Sequence, residues 1–290
     1  MRRLHIDVVF FSFFFSILFC IACAIVDKLL RFWIFLELCG MSLIPSFFYS
    51  SKSSLQGFYS SLLSYVVMSG LSSVLLARGI IVKGLYFFIL LGFIVKLGLF
   101  PFRLWIYRVF AGSNWVFIFL LSVVMKFPIL FFCFLLQNNF MFIVYGDCFL
   151  TILMCSCFLW FFSQSWEFIW CHISLSSVST LMVSCFCREF SVSAFIYFYY
   201  FMWASFCILY FYYLGDNEGL KKRFWVYCFL LLITPLSLPL FYKLSVCLAI
   251  LYSSVYVLLI WCVYSFSEQF FLYKLGSDFF YSEVYNNWGC

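Results

Sequence analysis

Charge is scarce in this chain: of 290 residues, only 10% are Asp, Glu, Lys or Arg. A soluble domain carries about 25%, so a water-facing surface of ordinary composition cannot be assembled from these residues. Histidine is scarcer still, with His5 and His172 alone, and there are 5 prolines and three threonines, Thr151, Thr180 and Thr234. Two sequence motifs pair cysteines closely, Cys20-x-x-Cys23 and Cys185-x-Cys187, but neither has a second ligand pair at metal-site spacing, so no metal or cluster site is expected. A Gly-rich phosphate loop, paired carboxylates in a plausible cleft and a nucleophile–base set are all missing, which excludes hydrolytic or redox chemistry carried by this chain alone. The net charge of +6 is scattered, and its densest run is Lys221-Lys222-Arg223. Three cations in one short loop orient a membrane protein and do not make a nucleic-acid surface, so no nucleic-acid partner is expected.

What is abundant is apolar. Hydrophobic residues make up 67% of the chain, with 45 Phe and 20 Tyr. Most of the 15 cysteines lie inside apolar segments, where a thiol behaves as a small hydrophobe. Phe, Cys, Tyr, Trp and Val share T- and G-rich codons, a bias that points to a small organelle genome. Met1-Arg2-Arg3 passes directly into an apolar run without a transit segment or cleavage site, so that run is expected to be retained as a span. A spanning helix needs about 20 apolar residues. Ten candidates follow: 8–26, 29–48, 58–77, 84–102, 115–136, 141–163, 168–186, 192–214, 224–242 and 244–266. The expected fold is all-α, a polytopic transmembrane helix bundle: residues 1–266 form a single helical domain and 267–290 a polar, aromatic tail at an interface. With ten spans, the side holding both termini carries nine Lys/Arg and the other side five, which places both termini inside.

Four charged residues sit deep in these apolar segments: Glu37, Lys96, Lys126 and Lys243. A charge at mid-bilayer costs about 2.5–3.5 kcal/mol on insertion scales, and such groups face the bundle interior and serve function. A carboxylate alone in lipid would take up a proton, whereas a lysine nearby keeps it ionised. At about 7 Å and an effective dielectric of about 20 the attraction is ~2.4 kcal/mol, enough to switch a site when the pair forms or breaks. All three deep bases are lysines, which can release and regain a proton; arginine cannot. Proline and glycine accompany two of them. Lys96-Leu97-Gly98-Leu99-Phe100-Pro101 and Pro235-x-x-x-Pro239-x-x-x-Lys243 predict helix breaks at Pro101, Pro235 and Pro239, in the manner of transporters. Ser122, Ser176, Ser177, Ser179 and Thr234 offer hydroxyls to link the charges, and Lys126, Ser177 and Thr234 are expected on one interior axis. His172 reads as a polar residue near a helix end.

Lys96-Leu97-Gly98-Leu99-Phe100-Pro101-Phe102-Arg103-Leu104-Trp105 resembles the K-x-G-x-x-P-F-H-x-W stretch of proton-translocating NADH:quinone oxidoreductase (complex I). Trp33-x-x-x-Glu37-Leu38 with Leu43-Ile44-Pro45 resembles the glutamate helix of that family, Lys126-Phe127-Pro128 its next lysine helix, and Pro239-Leu240-Phe241-Tyr242-Lys243 its late broken helix. The order Glu, Lys, Lys, Lys over residues 25–250 is similar to the antiporter-like membrane subunits, and within them to the subunit 2 family of mitochondrial NADH dehydrogenase in its shortened invertebrate form. The resemblance implies a respiratory-chain translocase of the mitochondrial inner membrane, with two broken helices of antiporter-like type and both termini on the matrix side. It implies that quinone reduction elsewhere in the complex drives proton transfer, that Glu37 pairs with Lys96, that Lys126 bridges towards the centre and that Lys243 is the terminal base. It assigns NADH, FMN, iron–sulfur clusters and ubiquinone to other subunits, so no cofactor is expected in this chain; its partners are other complex I membrane subunits and the lipid bilayer. The sequence departs from the family where Arg103 replaces a histidine, and where Cys171 and His172 stand near Ser176-Ser177-Val178 in place of a lysine. Two other classes remain open: a free-standing cation/proton antiporter and a non-conducting structural membrane subunit.

Overall fold

The computed structural model describes residues 2–48, 55–82, 85–136, 141–163, 165–186, 190–216 and 224–280. These residues are all-α. In chain order they form α1 (Arg2–Ile25), α2 (Leu29–Leu43) with a 3₁₀ turn (Ile44–Phe48), α3 (Leu55–Ile81), α4 (Tyr86–Leu97), α5 (Leu104–Ala111), α6 (Trp115–Ser122), a second 3₁₀ turn (Val124–Lys126), α7 (Phe127–Leu136), α8 (Met141–Phe162), α9 (Trp166–Phe186), α10 (Phe190–Asp216), α11 (Phe224–Leu231), α12 (Leu238–Leu251) and α13 (Val255–Phe280). Helix is the open-ended structure that satisfies its own backbone in lipid. Seven of these segments are long and apolar enough to cross a membrane, and three shorter apolar stretches, Tyr86–Leu97, Trp115–Phe131 and Leu238–Leu251, belong to helices that are interrupted. The chain is thus built as a multi-pass membrane protein.

α9 is the centre of the bundle. Its spanning window is 94% buried, against 22–44% for the other six long helices. It packs on α5, α7, α8, α10 and α12. Serines make this close approach practicable, since their hydroxyls return to carbonyls of their own helix: Ser176 to Ile173, Ser177 to Ser174 and Ser179 to Leu175.

The first break comes where Gly and Pro predict it. α4 ends in a Schellman motif: Gly98, at φ 67°, donates its N–H to Val95 O at 3.2 Å, and Leu99 donates to Ile94 O at 3.1 Å. The Trp105 indole also reaches Val95 O, at 3.1 Å. Beyond Pro101 the chain turns helical again as α5, over residues expected to be a loop. Trp105, Ile106, Val109 and Phe110 recur at helical spacing and bury one face, which stabilises α5 against the rest of the bundle.

A second break was not foreseen. Pro128 has no N–H to offer Val124 O, and its ring crowds that carbonyl. The chain therefore tightens to a 3₁₀ turn over Val124–Lys126. Within the turn Val123 O accepts from Lys126 N–H and Val124 O from Phe127 N–H. Side chains add to these carbonyls and to Ser122 O: Ser122 O accepts from Tyr200 OH, Val123 O from Tyr197 OH and Val124 O from the Cys20 thiol.

The late region corrects the expected spans. Residues 224–242 and 244–266 are not two spans meeting at Lys243, although the helix break does come beside Pro235 and Pro239 as expected. α11 and α12 are two halves of one interrupted segment, broken over 232–237, and the chain reverses at Tyr252–Ser254. Prolines interrupt a helix without reversing it, and Pro239 at the start of α12 sacrifices no hydrogen bond. The last span is α13, which continues to Phe280 and so contains residues 267–280 of the expected tail; 281–290 lie outside the described residues.

Candidate functional site

The charged residues singled out in the sequence fall into one interior line of three stations. At the first, α2 presents Glu37 and the last turn of α4 presents Lys96. Lys96 Nζ donates to Glu37 Oε1 at 2.6 Å, with the two side chains 7% and 19% exposed. The expected pair is therefore in direct contact and not at 7 Å. The Schellman end of α4 places the ammonium at a helix C-terminus, where the macrodipole favours a cation.

Lys126 is the second station. It is 2% exposed, which excludes a side chain reaching out to lipid headgroups. All three of its protons are engaged: Nζ donates to Ser177 Oγ at 2.6 Å, to Tyr200 OH at 2.8 Å and to Ser174 O at 2.9 Å. None of these partners is charged. The break ahead of Pro128 turns Lys126 into α9 and α10. A cavity of about 40 Å³ lies between the first two stations, bordered by Lys96, Trp105, Ser122, Met125, Lys126 and Ser174. It has room for more than one water, with polar groups at both ends to hold them.

The third station holds Lys243, on α12. Its Nζ lies 3.2 Å from Glu268 Oε2 on α13, with side chains 9% and 4% exposed. A cavity of about 10 Å³, space for about one water, adjoins the pair and is bordered by Ser176, Ser177, Thr180, Tyr242 and Tyr264. Ser177 thus touches Lys126 and also faces the Lys243 cavity. Lys243 lies within α12, beyond the break that Pro235 and Pro239 frame.

Some expected participants lie elsewhere. Ser179 is turned to α8, bonding Thr151 at 2.6 Å. Thr234 does not border the Lys243 cavity; its backbone N–H is bound to Ser237 Oγ in the loop, and Thr180 takes the place expected for it. His172 is no helix-end residue. It is fully buried in α9, with Nδ1 2.8 Å from Tyr107 OH. Arg103, also buried, stacks over Phe158 at 3.8 Å. The residue that sequence reasoning missed is Glu268. Ser267-Glu268-Gln269 looks like the polar start of a tail, but Phe270-Phe271-Leu272 follows it immediately, and this apolar continuation marks a helix going on.

This architecture is known in a solved structure. A chain of respiratory complex I from Thermus thermophilus, solved with bound aureothin, superposes with a TM-score of 0.76 over 94% of this chain and 70% of that one. The chain has a complex I fold. Sequence identity to that complex I chain is 14%, so the likeness is one of architecture. No protein-family model matches the sequence, and a search of curated proteins finds no match.

Proposed function

We propose that this chain is a membrane-arm subunit of proton-translocating NADH:ubiquinone oxidoreductase, the counterpart of NADH dehydrogenase subunit 2 in the mitochondrial inner membrane. In this reading it relays protons through Glu37, Lys96, Lys126 and Lys243, driven by quinone reduction elsewhere in the complex. The observation that carries it is the buried Glu37–Lys96 pair at 2.6 Å, set at a helix break and joined by a cavity to the fully buried Lys126. Burying that many charges costs several kcal/mol per ion. A wall facing lipid has no use for them, whereas a proton path does.

The steps follow from the contacts. Opening the Glu37–Lys96 pair frees Lys96 to pass a proton through water in the first cavity to Lys126. Lys126 hands a proton on through the Ser177 hydroxyl, which accepts from Nζ and, on turning away from Ser174 O, gives its own proton to water on its far side. Beyond Ser177 lies the Lys243 cavity. Hydrogen-bond distances of 2.6–2.9 Å around Lys126 suit such hops. NADH, FMN, iron–sulfur clusters and ubiquinone belong to other subunits in this reading, and the positive-inside bias puts both termini in the matrix.

Purification in mild detergent tests the assignment. The chain should copurify with a large assembly that oxidises NADH and reduces quinone. A solitary, monodisperse protein that exchanges cations for protons would sink the proposal in favour of a free-standing antiporter.

A further inference from the structure

We infer that Glu268 is a fifth relay residue, the carboxylate of a second lysine–carboxylate switch at the far end of the path; this rests on the proton-relay function proposed above. Glu268 lies near the middle of the 26-residue α13, about 20 Å from either end. That depth is where a carboxylate costs most. Its partner Lys243 is 3.2 Å away, and both side chains are at least nine-tenths buried. An apolar pair of similar volume would hold α12 to α13 as well or better, because desolvating two ions offsets most of their attraction. Ionisable groups retained at such a place are retained for what their charges do.

The arrangement repeats the first station. In each, a continuous helix supplies the carboxylate (α2, α13) and an interrupted segment supplies the lysine (α4, α12). Each station shares a cavity with Lys126 or its hydroxyl partner: Lys126 itself borders the first, Ser177 the second. The Tyr264 hydroxyl, one turn before Glu268, is buried beside Glu268 and Ser176 and borders that cavity. Gln269, the next residue, clamps the break itself: its Oε1 accepts from Ile233 N at 2.8 Å and its Nε2 donates to Leu231 O at 3.3 Å. α13 therefore contacts both the lysine and the break that positions it.

The step balances in protons and moves no electrons. A proton arriving by way of Ser177 and water is taken by a Glu268 carboxylate oxygen. Lys243 then stands beside a neutral acid and releases one proton outward. Glu268 returns its own proton to the Lys243 amine, and the ion pair re-forms. One proton has entered and one has left.

The test uses the assembled NADH-oxidising complex in lipid vesicles, reading protons moved per NADH oxidised. Glu268→Gln should lower this ratio, Glu268→Asp should restore part of it, and Glu268→Gln combined with Lys243→Met should be no worse than Lys243→Met alone. A ratio unchanged in Glu268→Gln, while Glu37→Gln and Lys96→Met lower it, overturns the inference and leaves the relay standing. Ratios unchanged in all three overturn both. If Glu268→Gln does not assemble, the Glu268→Gln/Lys243→Met protein, which buries no lone charge, decides: a wild-type ratio there also overturns the inference.

Discussion

The Lys126 ammonium donates to Ser177 Oγ at 2.6 Å, and Ser177 also borders the cavity that holds Lys243 and Glu268. One side chain thus touches the central lysine on one side and borders the cavity of the terminal pair on the other. Because α9 carries Ser177 through the middle of the bundle, that helix joins the two halves of the path.

Removing this hydroxyl should interrupt the path at its narrowest point. Ser177→Ala takes an acceptor from a buried ammonium, at a cost of about 1.5–3 kcal/mol. The assembled complex should unfold at a lower temperature and pump fewer protons per NADH, with Tyr200→Phe acting in the same direction. Unchanged melting and unchanged pumping in Ser177→Ala would show that Lys126 does not depend on it.

Glu37 and Lys96 should behave as one unit. Either Glu37→Gln or Lys96→Met leaves a partner unpaired, and both should lower pumping and stability. The double variant should fall short of the summed losses by about 1–3 kcal/mol in a stability cycle, as expected of side chains in contact. Losses that add in full would mean that the pair is geometrically close but energetically uncoupled.

Gly98 is where the first break requires a backbone few residues adopt. Its φ is 67°, and a Cβ there would be driven into the Ile106 side chain. Gly98→Ala should destabilise the chain by more than about 1 kcal/mol, since alanine is strained at positive φ even before the clash. Denaturant or thermal melting of the complex measures this, and a neutral result would argue that the α4 end relaxes into another conformation.

The late break depends on a side chain from the last helix. Gln269→Ala removes the acceptor of Ile233 N–H and a donor to Leu231 O. About 0.5–1.5 kcal/mol of hydrogen bonding is lost per bond, and amide exchange over residues 232–237 should quicken while α9 stays protected. Equal exchange in both proteins would show that the prolines hold the break unaided.

Much of this architecture could be read before any coordinates. Apolar runs about 20 residues long mark membrane helices because lipid allows the backbone no other open-ended solution. Lys96 followed by Gly98 and Pro101 announces a break, since only glycine accepts that left-handed turn cheaply and proline cannot continue the ladder. Errors came where two signals look alike in one dimension. Lys243 resembles a loop residue between two spans, and Glu268 resembles the start of a polar tail, because a charge in an apolar sequence marks a boundary and a buried functional group equally well.

The residue order by itself determined that this is a polytopic all-α membrane protein with a carboxylate and three lysines in its interior, because composition and helix period are properties of the chain alone. Tertiary structure decided which charges meet. Glu37 and Lys96 are 59 residues apart, Lys126 and Ser177 are 51 apart, and Lys243 and Glu268 lie on different helices. Their contacts exist because α9 packs at the centre and because three interrupted segments turn their lysines inward. Helix packing of that kind depends on the shapes of facing side chains, and no local pattern records it.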